Sequence, residues 1–122
     1  MADRQLKAPG EFDYDFKYDI LFFKVKNREY SKSIEAGNFI LDIDSEDFLT
    51  GVQIPDASKL FGIDKMKMMK IPNWNFEGRI KDGVIELRLA FQVQLRNKTI
   101  EPRPIIFQDA PMGLPNSQLI CN

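Results

Sequence analysis

The chain has 122 residues, a length that suits one domain and buries roughly two-thirds of its unfolded surface without disulfides or metals. Seventeen basic and eighteen acidic side chains leave a net charge of −1, so no overall field draws the protein to nucleic acid or to an anionic membrane. There is no histidine and a single cysteine, Cys121. This removes Ser-His and Cys-His nucleophile pairs, imidazole and thiolate zinc sites and any internal disulfide, and leaves carboxylate, lysine or tyrosine chemistry and oxygen-ligand metals.

In chain order, residues 1–12 read as a loose arm with Pro9-Gly10 inside it; the stretch 1–15 is charged and lacks the apolar core of a signal peptide or anchor. With the unpaired thiol, this makes the cytoplasm the expected location. Tyr18 to Val25 is apolar on both faces, which predicts a central strand covered on both sides. Lys26-Asn27-Arg28 turns the chain into a weaker returning strand, Glu29 to Ile34, and Ala36-Gly37 turns it again. In Asn38 to Asp44, Phe39, Leu41 and Ile43 alternate with polar residues except at Ile40, so one face is buried. Thr50 to Ile54 is the next strand.

A helical crossover is expected around residues 57–70. Asp56 is placed to cap a first helix through Phe61, which Gly62 closes. Asp64 is placed to cap a second through Lys70, with Ile63 and Met68 spaced as a hydrophobic staple, and Pro72 ends it. A hairpin from Trp74 to Leu95 then turns at Asp82-Gly83, the preferred two-residue primed turn. Pairing across that turn sets Ile80 opposite Ile85 and Phe76 opposite Leu89 on one face, and Arg79 opposite Glu86 and Glu77 opposite Arg88 on the other. Thr99 to Phe107 carries Pro102 and Pro104, is confined to an edge or an irregular segment and is expected to blunt the sheet as its one visibly protected edge, and residues 109–122 form a tail that must dock on the body or stay mobile.

The stretch from Tyr14 to Ser58 carries an ordered set of short blocks: Tyr14-Asp15, Asp19 with Leu21, Leu41-Asp42 with Asp44, Gly51 with Ile54, and Ala57-Ser58. In these blocks the chain resembles the domain-of-unknown-function family 2283, which implies a fold and no established activity. Phe22 stands where the family usually has Tyr, and Gln53 where it usually has Glu. The second departure argues against a mechanism that uses that carboxylate as acid or base.

Four sets of residues are candidate sites. Asp42, Asp44, Glu46 and Asp47 have the alternating oxygen ligands of a calcium loop. Counted from Asp42, however, the sixth position is Asp47 rather than glycine and the twelfth is Gln53 rather than Glu, so a solvated turn is favoured and no metal is expected. Asp15, Asp19, Asp42 and Asp44 are the set a carboxylate-based or metal-assisted enzyme would use. The cluster Lys65 to Lys70, with Met66, Met68 and Met69, offers an adaptable or nucleic-acid-binding surface, against a plain helix with Met68, and with it Met69, turned inward. Glu86, Arg88, Gln92, Gln94 and Arg96 form a polar row on the wet side of the hairpin, and Arg88, Gln92, Gln94 and Arg96 are the residues we expect to meet a partner chain.

The sequence thus predicts a mainly β, at most α+β, single domain over 1–122. Its antiparallel hairpins would form one curved sheet, a sandwich or a partly open barrel, with a short helical crossover. The expected role is a non-enzymatic interaction module without cofactors that self-associates as a two-fold dimer, since a domain of roughly seven short strands has open edges unless it closes. The alternatives are the carboxylate enzyme and nucleic-acid binding through the lysines.

Overall fold

The computed structural model describes residues 4–121. The described chain forms twelve strands and two short helices. β1 (Arg4–Ala8), β12 (Ser117–Cys121), β7 (Trp74–Lys81), β8 (Val84–Phe91) and β11 (Ile105–Asp109) form sheet I in that spatial order. β2 (Gly10–Asp15), β3 (Ile20–Val25), β6 (Leu49–Pro55), β5 (Phe39–Asp44) and β4 (Tyr30–Ala36) form sheet II. β9 (Val93–Leu95) and β10 (Lys98–Ile100) make a small separate ribbon. Every pairing is antiparallel except β1 with β12.

The two sheets face each other across one core, so of the three architectures the sequence allowed the chain adopts the sandwich. Period-two alternation turns Leu21, Phe23, Leu41, Ile43, Val52 and Ile54 of sheet II toward Phe76, Ile80, Ile85, Leu87, Leu89 and Phe91 of sheet I. The Phe23 ring lies 5.1 Å from Trp74 and 5.8 Å from Phe91. Gly78 makes close approach possible: a Cβ there would stand 2.8 Å from Leu49 Cδ2 of the opposite sheet. α1 (Ala57–Phe61) and α2 (Lys65–Met68) bury Ala57 and Met68, and Phe61 packs edge-on against Phe91 at 5.0 Å.

The Asp82-Gly83 hairpin has the expected register, with Ile80 opposite Ile85, Phe76 opposite Leu89, Arg79 opposite Glu86 and Glu77 opposite Arg88. Positive φ at Asp82 (50°) and Gly83 (82°) is what a primed turn demands. Its second arm, however, stops at Phe91 rather than Leu95. Phe91 pairs with Trp74, the first residue of β7, so beyond it only the Gln92 N–H finds a partner, Asn73 O at 2.8 Å, and Val93 to Leu95 turn away to pair with β10.

Several other expectations need correction. The strand expected over Tyr18 to Val25 begins at Ile20 and lies second from an edge rather than at the centre; Ile20 and Phe22 on its outer face are only half-buried and Tyr18 sits exposed in the preceding turn. β4 does not return beside β3 but crosses to the far edge of sheet II, leaving β6 next to β3 in a Greek-key order. Residues 4–12 are not a loose arm: they form β1 and the start of β2, and residues 1–3 lie outside the described chain. Of the two outcomes open to the tail from 109, docking is the one seen, and it docks as a strand: β12 inserts between β1 and β7. The Thr99 to Phe107 segment breaks at its prolines into β10 and β11; Pro102 and Pro104 nonetheless accept hydrogen bonds from Phe91 N and Leu89 N through their carbonyls. The second helix ends at Met68 rather than Lys70.

Candidate functional site

Asp19 is a buried carboxylate that joins three separate parts of the chain. It occupies the left-handed conformation (φ 58°) at the turn into β3 and is 5% exposed. Its carboxylate accepts Tyr14 Oη at 2.5 Å, Ser58 Oγ at 2.6 Å and the Ser58 N–H at 3.0 Å, while its carbonyl accepts the Ala57 N–H at 3.1 Å. Burial alone would raise this carboxyl, but the hydrogen bonds from Ser58 and Tyr14, with the Lys65 charge nearby, outweigh it and hold Asp19 below the usual carboxylate range. Burial and then the bond to Asp19 push the Tyr14 phenol above its usual value.

Asp19 therefore caps α1 from 39 residues away. Asp56, expected to cap it, has its backbone in the left-handed region (φ 53°) and makes no side-chain cap bond. With Asp19 already on the free N–H groups, no place is left for it. Asp64 does cap α2, accepting the Met66 N–H at 2.8 Å, and Gly62 (φ 65°) closes α1, both as expected.

The acidic turn is equally occupied. Asp44, 1% exposed, accepts the Glu46 and Phe48 N–H groups, each at 2.9 Å, and pairs with Arg28 at 2.8 Å. Arg28 also reaches Glu46 at 2.6 Å; against the cost of its own burial, these two carboxylates raise its pKa. Asp47 takes the positive-φ position of the turn (64°), and its carbonyl accepts from Arg4. Asp42, two residues earlier on β5, accepts Ser33 Oγ at 2.9 Å and Gln53 Nε2 at 3.0 Å. Gln53 thus does what a glutamate there could not do while ionised: it donates to Asp42. Gly51, directly opposite Asp42, leaves room for that carboxylate, since a Cβ would stand 3.1 Å from Asp42 Oδ2.

Of the enzyme set, Asp15 closes its own turn by accepting the Tyr18 N–H at 3.0 Å. Asp42 lines a recess of about 270 Å³ with Arg28, Tyr30, Thr50 and Gln53, and Asp15, Asp19 and Asp44 are not among its lining residues. Asp42, Asp44 and Asp47 likewise do not converge: among the described residues no group of three acidic or thiol side chains is arranged to hold a metal ion.

On α2, Met68 is fully buried, whereas Met69, expected to turn inward with it, is half exposed alongside Met66. Lys65 does not stand free in water; it lies over the Phe16 ring and donates to Phe16 O at 3.1 Å. The expected partner row is divided. Arg88 lies on the outer face of sheet I and binds Glu86 on its own strand at 2.7 Å rather than the facing Glu77; Arg79 binds the same Glu86 at 2.9 Å. These two guanidinium groups, Arg88 first, hold Glu86 below its ordinary pKa. Gln92 is tied to Asn73 at 3.1 Å, Gln94 belongs to the separate ribbon, and Arg96 to its turn.

What the sequence reading missed lies beside Arg88. Ile105 and Phe107 of β11 are 51% and 65% exposed, and Val84 of β8 is 41% exposed, all on the outer face of sheet I. The signal was the unbroken apolar run Ile105-Ile106-Phe107, which in a strand must place apolar side chains on both faces.

Comparison with known proteins gives a family match for part of the chain and two relatives. Residues 11–58 match the family described as "Protein of unknown function (DUF2283)". The chain is 32% identical over 98 residues to a Methanosarcina mazei protein named "Putative hypoxanthine phosphoribosyltransferase", covering 80% of each. It is 24% identical over 111 residues to an uncharacterized protein of Methanocaldococcus jannaschii, covering 90% of this chain and 96% of that one. The segment 11–58 thus matches the family its sequence blocks resemble. No solved structure matches it. In this fold the family's blocks form connected clips: Tyr14, Asp19, Ala57 and Ser58 make one, and Asp42 and Gly51, with Gln53, make another.

Proposed function

We propose that the protein is a non-enzymatic interaction module that self-associates, in a reducing compartment such as the cytoplasm. The observation that carries this reading is the exposed apolar strip Val84, Ile105 and Phe107 at an open edge of sheet I, where soluble proteins usually place charge, proline or a cover. Of the carboxylates an enzyme would draw on, Asp15 and Asp44 cap turns, Asp19 caps a helix and Asp42 accepts from Ser33 and Gln53, which favours a structural role for them. The buried Cys121 thiol, its pKa pushed up to about 11 by burial, is chemically quiet and suits such a compartment. No described helix is long and apolar enough to cross a membrane.

The name of the Methanosarcina relative finds little support in this chain. Phosphate groups in α/β nucleotide sites sit at helix N-termini beyond the carboxyl ends of parallel strands. Here the described helices have five and four residues, and one strand pair is parallel. Light scattering across the micromolar range tests the reading: a dimer mass that falls on dilution supports it, and a monomer at every concentration refutes it.

A further inference from the structure

Resting on that reading, we infer that a second copy of this chain pairs with the open edge of β11 as an antiparallel two-fold strand pair, with Ile105 opposite Phe107 of the second copy. The backbone makes the edge available. The carbonyls of Pro102 and Pro104 accept from Phe91 and Leu89, and the Ala110 N–H donates to Gly83 O at 2.8 Å, so the even-numbered residues of this segment turn their backbone groups toward the β7–β8 hairpin. N–H and C=O of one residue leave a strand on the same side, and successive residues alternate. Ile105, Phe107 and Asp109 therefore present theirs at the open edge. The amide hydrogens that Pro102 and Pro104 lack belong to the β8 side, so, contrary to what the sequence led us to expect, the prolines do not blunt this edge.

The other edge strands of the two five-stranded sheets are guarded. β4 has an irregularity between Tyr30 and Lys32 and carries Lys32 and Glu35; β2 carries Glu11, Asp13 and Asp15; β1 carries Arg4 and Lys7. From Ile105 to Gln108, β11 has no charge.

Keeping outer face with outer face requires odd residues opposite odd ones, which leaves three compact symmetric registers. With Ile105 opposite itself, Asp109 would face Glu101, like charge on like. With Phe107 opposite itself, Ile105 would face Asp109. In the remaining register Ile105 faces Phe107, Arg103 faces Asp109 and Ile106 meets Ile106, so apolar meets apolar and each charge its opposite. In the single chain the Arg103 side chain is 73% exposed and pairs only with its near neighbour Glu101, on the same outer face. The paired edges would join two five-stranded sheets into one of ten.

Sedimentation of the full chain, three single surface variants and one double variant tests the inference. Phe107→Lys should abolish the dimer. Arg103→Glu and Asp109→Arg should each weaken it by about tenfold, and the double variant should return it to near the parent value, because two symmetric charge pairs are swapped at once. A parent chain that is monomeric throughout would overturn both the self-association reading and this inference. A parent dimer untouched by Phe107→Lys would leave self-association standing and remove β11 as its site. Loss on Phe107→Lys with no recovery in the double charge variant would reject this register.

Discussion

Asp19 and Ser58 meet through two hydrogen bonds, from the Ser58 hydroxyl at 2.6 Å and its backbone N–H at 3.0 Å, across 39 residues of chain. The contact joins the turn before β3 to the first turn of α1, so it ties a strand connection to the helix that covers the end of the sandwich. Both residues belong to the family's blocks, and together with Tyr14 they account for three of them.

Asp19→Ala removes an acceptor of three bonds and puts a Cβ-only side chain in a left-handed position. Charged hydrogen bonds contribute roughly 1.5–3 kcal/mol each before relaxation, and the Ser58 and Tyr14 groups would be left without their partner. A loss of about 2–4 kcal/mol is expected in urea unfolding. A loss under 0.5 kcal/mol would mean that water replaces the carboxylate at no cost.

The same carboxylate should shape the acid limb of stability. Its folded pKa lies below the ordinary 3.8, so its contribution is complete above the unfolded value and is lost as pH falls through the folded one. Stability measured from pH 6 downward should decline more steeply below about pH 4 in the parent than in Asp19→Asn, which has nothing to protonate. Parallel curves would assign the acid limb to other carboxylates.

Gly83 holds φ at 82° in the primed turn. Gly83→Val places a β-branched side chain there and should cost more than about 1 kcal/mol through strain. A change within error of zero would show that the turn can be rebuilt without positive φ.

Gly78 and Leu49 should be coupled across the sandwich. A methyl at 78 meets the Leu49 side chain at 2.8 Å from Cδ2 and 3.2 Å from Cγ, so Gly78→Ala should destabilise by about 1–3 kcal/mol. Shortening Leu49 to alanine opens a cavity by itself, but it also makes room for the new methyl. The double variant should therefore be more stable than the sum of the single losses by at least about 0.5 kcal/mol, and strict additivity would place the methyl elsewhere.

Calcium, magnesium and zinc should leave the melting temperature unchanged, because among the described residues no three acidic side chains are grouped to hold a metal ion, and Asp42 and Asp44 already accept hydrogen bonds from other groups. A ligand a hundredfold above its dissociation constant would add about 2.7 kcal/mol, so a chelator-reversible rise would be easily seen.

The sequence alone determined those features whose interactions are local. The register of the Asp82-Gly83 hairpin follows from a two-residue turn and period-two alternation, the Gly62 terminus from positive φ, and the Asp64 cap from a carboxylate two residues before the N–H it accepts. Mainly β architecture followed from the same alternation. Tertiary structure decided which strands became neighbours, and with that the site. Nothing local says that Ser117 to Cys121 enters between β1 and β7, that β8 ends where its partner begins at Trp74, or that Asp19 rather than Asp56 caps α1. Strand pairing and remote capping pay their loop-closure cost only against the packed core, so the residues that make them carry no signature at short range. The open edge of β11 is of the same kind: the apolar run is in the sequence, but which side of it β8 occupies is settled only when the sandwich forms.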